Sequence, residues 1–233
     1  NAVWSDDSPV TAHDFAFSWQ RMLHPETGSQ YTYQLYYVRG TRKYTEAKLE
    51  SGDAVEVELA DRKDKYQAWP RGTIVRGKLV EILKTPEPKI SADTSPEDKS
   101  RKLADWKKSW TYVVKIDGKA TPFSKEPGEA LGYQNQTPAA CMQVLSDWES
   151  TVGIKATDDH MLVVELNDRT PFFHELVAFY PLYPVNRRCI EKYGSPRWAK
   201  PENIVSNGPF TLKLRKLRDR IRLEKNPRYW DAQ

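Results

Sequence analysis

The residues that most often carry catalysis or bind metal ions are few in this sequence, and they are far apart. His174 and Glu175 begin a pattern typical of zinc-protease helices, but its second histidine would fall at position 178, which is Ala178. The remaining histidines are His13, His24 and His160, and no cysteine–histidine spacing is typical of a zinc site. There is also no Gly-x-Ser-x-Gly elbow and no phosphate-binding glycine loop. We therefore predict that the chain is not an enzyme and uses no metal ion or other cofactor.

Two pairs of adjacent carboxylates, Asp6-Asp7 and Asp158-Asp159, are the remaining candidates for acid–base chemistry. Both pairs lie where the surrounding pattern predicts a turn. Aspartate is common in turns because its side chain hydrogen-bonds to the backbone nearby. We interpret both pairs as turn residues.

Charge and composition exclude two further classes of protein. The chain has 36 Lys and Arg against 32 Asp and Glu, a net charge of +4. This balance does not favour a nucleic-acid partner, which requires clustered positive charge. The basic residues between Lys213 and Arg222 mostly alternate with apolar ones and indicate a solvated strand face. No apolar segment approaches the roughly 18 residues of a membrane-spanning helix, so we do not expect this chain to span a membrane.

Aromatic residues make up 12% of the chain. Large rings fill the cores of proteins, and they also line ligand clefts. Composition by itself favours the core. The two cysteines, Cys141 and Cys189, do not form a disulfide framework, and the sequence leaves open whether they pair.

The first 50 residues and the last 80 have the same kind of sequence pattern, which predicts short helices and hairpins. Thr11 and Asp14 form a capping-box pattern, which predicts a helix that packs through Phe15, Trp19, Met22 and Leu23 and ends before Pro25. Further helices are expected at residues 31–38, 42–49, 171–179 and 185–193. Hairpins are expected at residues 153–166 and 210–224.

The middle of the chain has a different sequence pattern, in which predicted strands dominate. Val55, Val57 and Leu59 alternate with glutamates, and with the strand patterns at residues 67–75 and 77–83 they indicate a small antiparallel sheet or barrel of about the size of an SH3 domain. Residues 111–116 and 119–123 indicate a hairpin about Asp117-Gly118. Helices are predicted at residues 96–110 and 139–149. We interpret residues 54–147 as an inserted β-rich module.

Two segments carry a resemblance to a known family. Residues 4–15 read Trp-Ser-Asp-Asp-Ser-Pro-Val-Thr-Ala-His-Asp-Phe, and residues 203–212 with 221–231 include Asn207-Gly208-Pro209-Phe210 and Asn226-Pro227-Arg228-Tyr229-Trp230. They resemble signatures of the peptide/nickel-type (family 5) extracellular solute-binding proteins of ABC transporters, in particular the oligopeptide-binding branch. Asp7 stands where the family usually has glycine, so its turn must have a conformation that a non-glycine residue tolerates.

The resemblance implies an α/β fold with two lobes, the type II fold of periplasmic binding proteins. Residues 1–53 and 148–183 would form its accessory subdomain, and residues 184–233 part of one main lobe. The opposite lobe would lie beyond Gln233, and both ends of the chain look cut from a longer protein. The chain would then be a fragment of a substrate-binding component that captures oligopeptides, with the permease subunits as partners. Its location would be periplasmic or extracytoplasmic, with a lipid anchor in the full-length protein as one option.

The candidate ligand contacts that follow from this resemblance are aromatic residues of the outer segments: Tyr31, Tyr33, Phe179, Tyr180 and Tyr229. On the last segment we expect Trp230 to pack inward and Tyr229 to face the cleft. Two other roles stay open. One is protein or polysaccharide binding by the inserted module through Trp69, Trp106 and Trp110, and the other is ligand sensing without transport.

Overall fold

The computed structural model describes residues 2–61, 72–91, 93–128 and 130–232. These residues form two compact units. The outer unit consists of residues 2–45 and 153–232, and the barrel unit consists of residues 46–61 and 72–152. The barrel unit extends beyond the predicted 54–147 module at both ends.

The helices and strands are interspersed along the chain. The helices are α1 (Ala12–Leu23), α2 (Thr41–Thr45), α3 (Pro96–Lys108), α4 (Trp148–Thr151), α5 (Phe173–Val177) and α6 (Arg187–Tyr193). The strands are β1 (Ala54–Leu59), β2 (Ile74–Leu83), β3 (Thr111–Ile116), β4 (Lys119–Ser124), β5 (Ala139–Ser146), β6 (Ile154–Asp158), β7 (Met161–Val164), β8 (Phe210–Lys216) and β9 (Arg220–Lys225). Short 3-10 helices lie at Pro25–Thr27, Thr32–Leu35, Tyr180–Leu182 and Arg197–Ala199.

Helix α1 begins at its predicted cap. The Thr11 N–H donates to Asp14 Oδ2 at 2.9 Å, which satisfies a backbone donor at the helix start. The buried face includes Trp19, Met22 and Leu23 as predicted, but Phe17 is buried and Phe15 only half-buried. The prediction was therefore only partly right for Phe15, and it missed Phe17, which lies on another face of α1 under the guanidinium of Arg187. Helix α1 packs on the β6–β7 hairpin and against α6.

The two segments that carry the resemblance meet within the outer unit. The Ser5 N–H donates to the Ser206 carbonyl oxygen at 2.8 Å. Arg228 binds Asp7 through two contacts, Nε–Oδ1 at 2.6 Å and Nη2–Oδ2 at 3.0 Å. Asp7 has φ of 69°, so this residue adopts the left-handed conformation where the family usually has glycine.

The barrel unit is a closed five-stranded barrel with the strand order β1-β2-β3-β4-β5. Its core contains Val55, Val57, Leu79, Val114, Phe123, Cys141 and Val144. Asp117 and Gly118 both have positive φ, which is the geometry of a tight two-residue hairpin turn between β3 and β4. Strand β5 pairs antiparallel with β1 and closes the barrel.

Residues 139–146 are strand β5 and not the predicted helix. Alanine, methionine, glutamine and leucine favour helices, but their preference is a few tenths of a kcal/mol per residue, about one order of magnitude less than strand pairing and burial provide together. Here Cys141, Val144 and Leu145 are buried in the barrel.

Two other predictions were partly right. Residues 31–38 form a short 3-10 helix and turns, and the helix predicted at 42–49 is the shorter α2. The strand predicted at 67–75 lies partly outside the described residues. Both cysteines are buried free thiols.

Candidate functional site

Three of the five predicted contact residues are in ring contact in the outer unit, and a fourth lies on the same segment. The ring centroids of Tyr31 and Phe179 are 5.4 Å apart, those of Phe179 and Tyr180 are 4.8 Å apart and those of Tyr31 and Tyr180 are 5.9 Å apart, and all three pairs meet edge to face. The Tyr180 hydroxyl donates to the Tyr31 hydroxyl at 3.1 Å. Tyr33 lies two residues after Tyr31, in the 3-10 helix Thr32–Leu35. We call Tyr31, Tyr33, Phe179 and Tyr180 the aromatic cluster.

The cluster has half-buried and exposed rings. Tyr33 and Tyr180 are 53% and 61% exposed, while Tyr31 and Phe179 are half-buried. Edge-to-face packing on Tyr31 and Phe179 holds the Tyr180 ring, which is presented to solvent without extending the core. This arrangement suits contact with an apolar or aromatic group of a ligand.

Helix α1 fixes the backbone below Tyr180. The indole N–H of Trp19 donates to the Leu182 carbonyl oxygen at 2.9 Å, and both residues are buried. The Leu182 N–H donates to the Phe179 carbonyl oxygen at 2.9 Å. These two hydrogen bonds connect the buried core to Phe179 and so fix the position of the Phe179-Tyr180 backbone.

The hydrogen bond with Tyr31 raises the pKa of the Tyr180 hydroxyl above its ordinary value of 10, and the nearby tyrosines act in the same direction. The group is therefore neutral throughout the physiological range. It offers a ligand a hydroxyl and an aromatic face, but no charge.

Sequence reasoning missed a second aromatic pair on the same two chain segments. Tyr37 and Phe172 meet edge to face with centroids 5.3 Å apart, and they are 43% and 47% exposed. The available signal was the two aromatic doublets, Tyr36-Tyr37 and Phe172-Phe173, which mark both segments as rich in rings but do not indicate which ring is exposed. We call Tyr37 and Phe172 the distal pair.

The predicted orientation of the last aromatic residues was wrong. Trp230 is 69% exposed, and Tyr229 is half-buried. The alternation rule applies to extended strands, but β9 ends at Lys225 and the Tyr229 N–H donates to the Asn226 carbonyl oxygen in a turn at 3.1 Å. The structure brings Tyr229 against Trp230, with centroids 5.6 Å apart.

The tryptophans of the barrel unit are engaged within the chain. Trp106 packs edge to face on Trp110 and donates its indole N–H to the Thr85 carbonyl oxygen at 3.0 Å. Lys84 Nζ lies 4.7 Å from the centroid of Trp110. Trp69, the third residue of the predicted platform, lies outside the described residues. Trp106 and Trp110 therefore hold α3 to the barrel and cover part of each other.

Within the described ranges, no group of three or more His, Cys, Asp or Glu side chains is arranged to hold a metal ion. In the same part of the chain, no helix is both long enough and apolar enough to cross a membrane.

A family model described as bacterial extracellular solute-binding proteins, family 5 middle, matches residues 1–102 and 99–233. The chain belongs to this family. The match runs through the segment that we interpret as an insertion, so the extent of that insertion stays a prediction.

The chain is similar to proteins named as oligopeptide-binding. It is 27% identical to the periplasmic oligopeptide-binding protein OppA of Salmonella typhimurium over 231 residues, which is 99% of this chain and 25% of that protein. It is also 27% identical to OppA of Bacillus subtilis over 98% of this chain and 24% of that protein. A periplasmic protein of Escherichia coli whose name gives deoxycholate as its ligand is 43% identical over 84 residues, 36% of this chain and 16% of that protein. The chain thus spans about a quarter of the relatives that align over nearly all of it.

Solved structures show the same fold. OppA of Burkholderia pseudomallei matches 99% of this chain and 26% of its own with a TM-score of 0.53 and 23% identity. OppA of Haemophilus influenzae, solved in complex with the peptide RPPGFSPFR, matches 99% of this chain and 26% of its own with a TM-score of 0.54 and 19% identity.

Proposed function

We propose that this chain is part of the substrate-binding component of an ABC transporter and that the full-length protein captures oligopeptides. The observation that carries the proposal is the aromatic cluster, whose exposed rings rest on a hydrogen-bonded core in a chain that belongs to the family. Relatives that align over nearly the whole chain are named for oligopeptide binding, which supports peptide as the ligand.

The mechanism is non-covalent capture. A peptide side chain rests on Tyr33 and Tyr180, where burial of its apolar surface and edge-to-face contact provide the binding energy. The hydroxyls of Tyr31 and Tyr180 are available to peptide main-chain groups. A second lobe, outside residues 1–233, closes over the ligand by hinge motion and supplies the remaining contacts. No catalytic step is part of this function.

The partners in this proposal are the membrane permease subunits, and the location is the periplasm or the outer face of the membrane. Residues 1–53 and 148–183, apart from residues 46–53 and 148–152 that belong to the barrel unit, serve as the accessory subdomain, and residues 184–233 as part of one main lobe. The names of the relatives support the location, because several are described as periplasmic.

Calorimetry with a mixed library of short peptides tests the proposal. The full-length protein should bind, and the same protein with Tyr33→Ala and Tyr180→Ala should bind at least about fivefold more weakly, since each ring contact contributes about 0.5–1.5 kcal/mol. Residues 1–233 alone should bind weakly or not at all.

Met161→Ala is the matched control, because it removes an apolar side chain of similar exposure, 56%, from the β6–β7 hairpin. It should leave affinity unchanged. If the full-length protein binds no peptide, or if the two tyrosines are dispensable, the proposal is wrong.

A further inference from the structure

The distal pair is not required by the core of the outer unit. Both of its rings are nearly half exposed, and they contact each other edge to face at 5.3 Å. A ring that only fills the core would be covered, as Trp4 and Trp19 are. An exposed pair of this kind provides an apolar surface with room for a further group.

The backbone beneath the distal pair is fixed before any ligand arrives. The Asn167 N–H donates to the Tyr37 carbonyl oxygen at 2.8 Å, and Asn167 Nδ2 donates to the Tyr36 carbonyl oxygen at 2.9 Å. The Thr41 hydroxyl donates to the Leu35 carbonyl oxygen at 2.7 Å from a fully buried position. The pair is therefore preorganised, and a ligand that binds it does not have to order the chain.

The distal pair and the aromatic cluster lie on the same two segments. Residues 31–37 carry Tyr31 at one end and Tyr37 at the other, and Phe172 and Phe179 pack against them in the opposite chain direction. Of the rings that face solvent, Phe172 and Tyr180 are eight residues apart along α5 and the turn after it, which at a helical rise of about 1.5 Å per residue spans about 12 Å. An extended peptide advances about 3.4 Å per residue, and its side chains at positions i and i+4 point to the same side about 13 Å apart.

From this spacing we infer that Tyr37 and Phe172 form a second subsite, which binds an apolar side chain four residues along the peptide from the one on the aromatic cluster. The inference rests on the proposed function and extends it, because it gives the site a preferred ligand. That ligand is a peptide of at least five residues with apolar side chains at positions i and i+4.

Three synthetic peptides separate this subsite from general peptide binding. Phe-Ala-Ala-Ala-Phe places both rings on one side, Phe-Ala-Ala-Phe-Ala places them on opposite sides, and Phe-Ala-Ala-Ala-Ala has one ring. Calorimetry on the full-length protein should give about threefold to tenfold tighter binding for the first peptide than for the other two, the range of one aromatic contact. In Phe172→Ala and Tyr37→Ala this preference should fall to about one, while the affinity for Phe-Ala-Ala-Ala-Ala stays within about twofold.

Met161→Ala is again the matched control and should keep the preference, and melting curves verify that each variant is folded. If the three peptides bind but the preference is absent, or if it survives in both variants, the second subsite is wrong and peptide capture stands. If none of the three binds, the proposed function and the subsite are both wrong.

Discussion

Trp19 shows how a single residue links the core to the candidate site. Its indole N–H and the Leu182 carbonyl oxygen are 2.9 Å apart in space and 163 residues apart in sequence. Trp19 is 3% exposed, and Leu182 lies two residues after Tyr180 of the aromatic cluster. The side chain therefore contributes both packing and a directional contact.

Trp19→Ala should lower the free energy of unfolding by about 3–5 kcal/mol, because it leaves a large cavity and an unpaired buried carbonyl. Trp19→Phe retains most of the ring volume but loses the donor, so it should cost about 1–3 kcal/mol. Chemical denaturation measures both values. A loss below about 1 kcal/mol for the alanine variant would contradict the burial of this ring.

The sequence was informative at positions where one local rule determines the outcome. The capping box at Thr11, the burial of Trp19 and the turn at Asp117-Gly118 follow from side-chain chemistry within a few residues. The orientation of Tyr229 and Trp230 could not be predicted in this way. It depends on where strand β9 ends, and the turn at Asn226 determines that.

At the scale of elements, strand β5 illustrates what local sequence does not determine. Residues 139–146 contain good helix formers, yet β5 pairs with β1, which lies about 80 residues earlier in the chain. The aromatic cluster has a similar origin, since its two segments are also remote in sequence. Its residues were predicted, but their ring contacts and the distal pair required the fold.

The barrel contains two titratable groups, and burial disfavours the ionised form of both. Burial raises the pKa of the Cys141 thiol from 9.0 to about 12. Burial, and to a lesser extent the nearby Cys141, raises the pKa of the Tyr112 hydroxyl from 10.0 to about 12. In the unfolded chain both groups release protons at lower pH than in the folded barrel. Their contribution to stability is therefore complete below pH 9 and is lost as the pH rises from about 9 to 12.

The double variant Cys141→Ala/Tyr112→Phe should consequently lose less stability than the wild type between pH 8 and 11. Urea denaturation at several pH values in this range gives the two slopes, and groups common to both proteins cancel in the comparison. Equal slopes would show that neither group is protected from ionisation by burial.

For the molecule as a whole, the barrel unit is a candidate for removal, because the two points where the chain leaves and re-enters the outer unit lie close together. Within the outer unit, the Gly153 N–H donates to the Arg39 carbonyl oxygen at 2.9 Å, and α2 leads from there to Thr45. With about 3.8 Å for the step out of Arg39, about 1.5 Å per helical residue up to Thr45 and about 5 Å across the hydrogen-bonded pair, Thr45 and Gly153 lie within about 17 Å of each other. A closure this short adds little entropic cost, whatever the length of the chain between these points.

The observed boundaries of the barrel unit, and not the predicted ones, determine which residues should be deleted. A cut at the predicted 54–147 would leave Trp148 and Val152, both buried in the structure, without the barrel that accompanies them. Removing residues 46–152 takes the complete barrel unit, including the Asp147 N–H that donates to the Ala54 carbonyl oxygen at 2.9 Å. A linker of six Gly/Ser residues spans up to about 20 Å and replaces the deleted segment.

The 46–152 deletion should keep the helical circular dichroism of the outer unit and a cooperative melting transition, because α1, the β6–β7 hairpin and α6 pack on one another within that unit. The 54–147 deletion serves as the matched comparison and should be less stable or aggregate, since it exposes apolar surface that the barrel unit normally buries. In the full-length protein the 46–152 deletion should also retain peptide binding, because the aromatic cluster lies entirely in the outer unit. An unfolded 46–152 deletion would show that the barrel is an integral part of the core, and a folded deletion without peptide binding would place the barrel in the binding function.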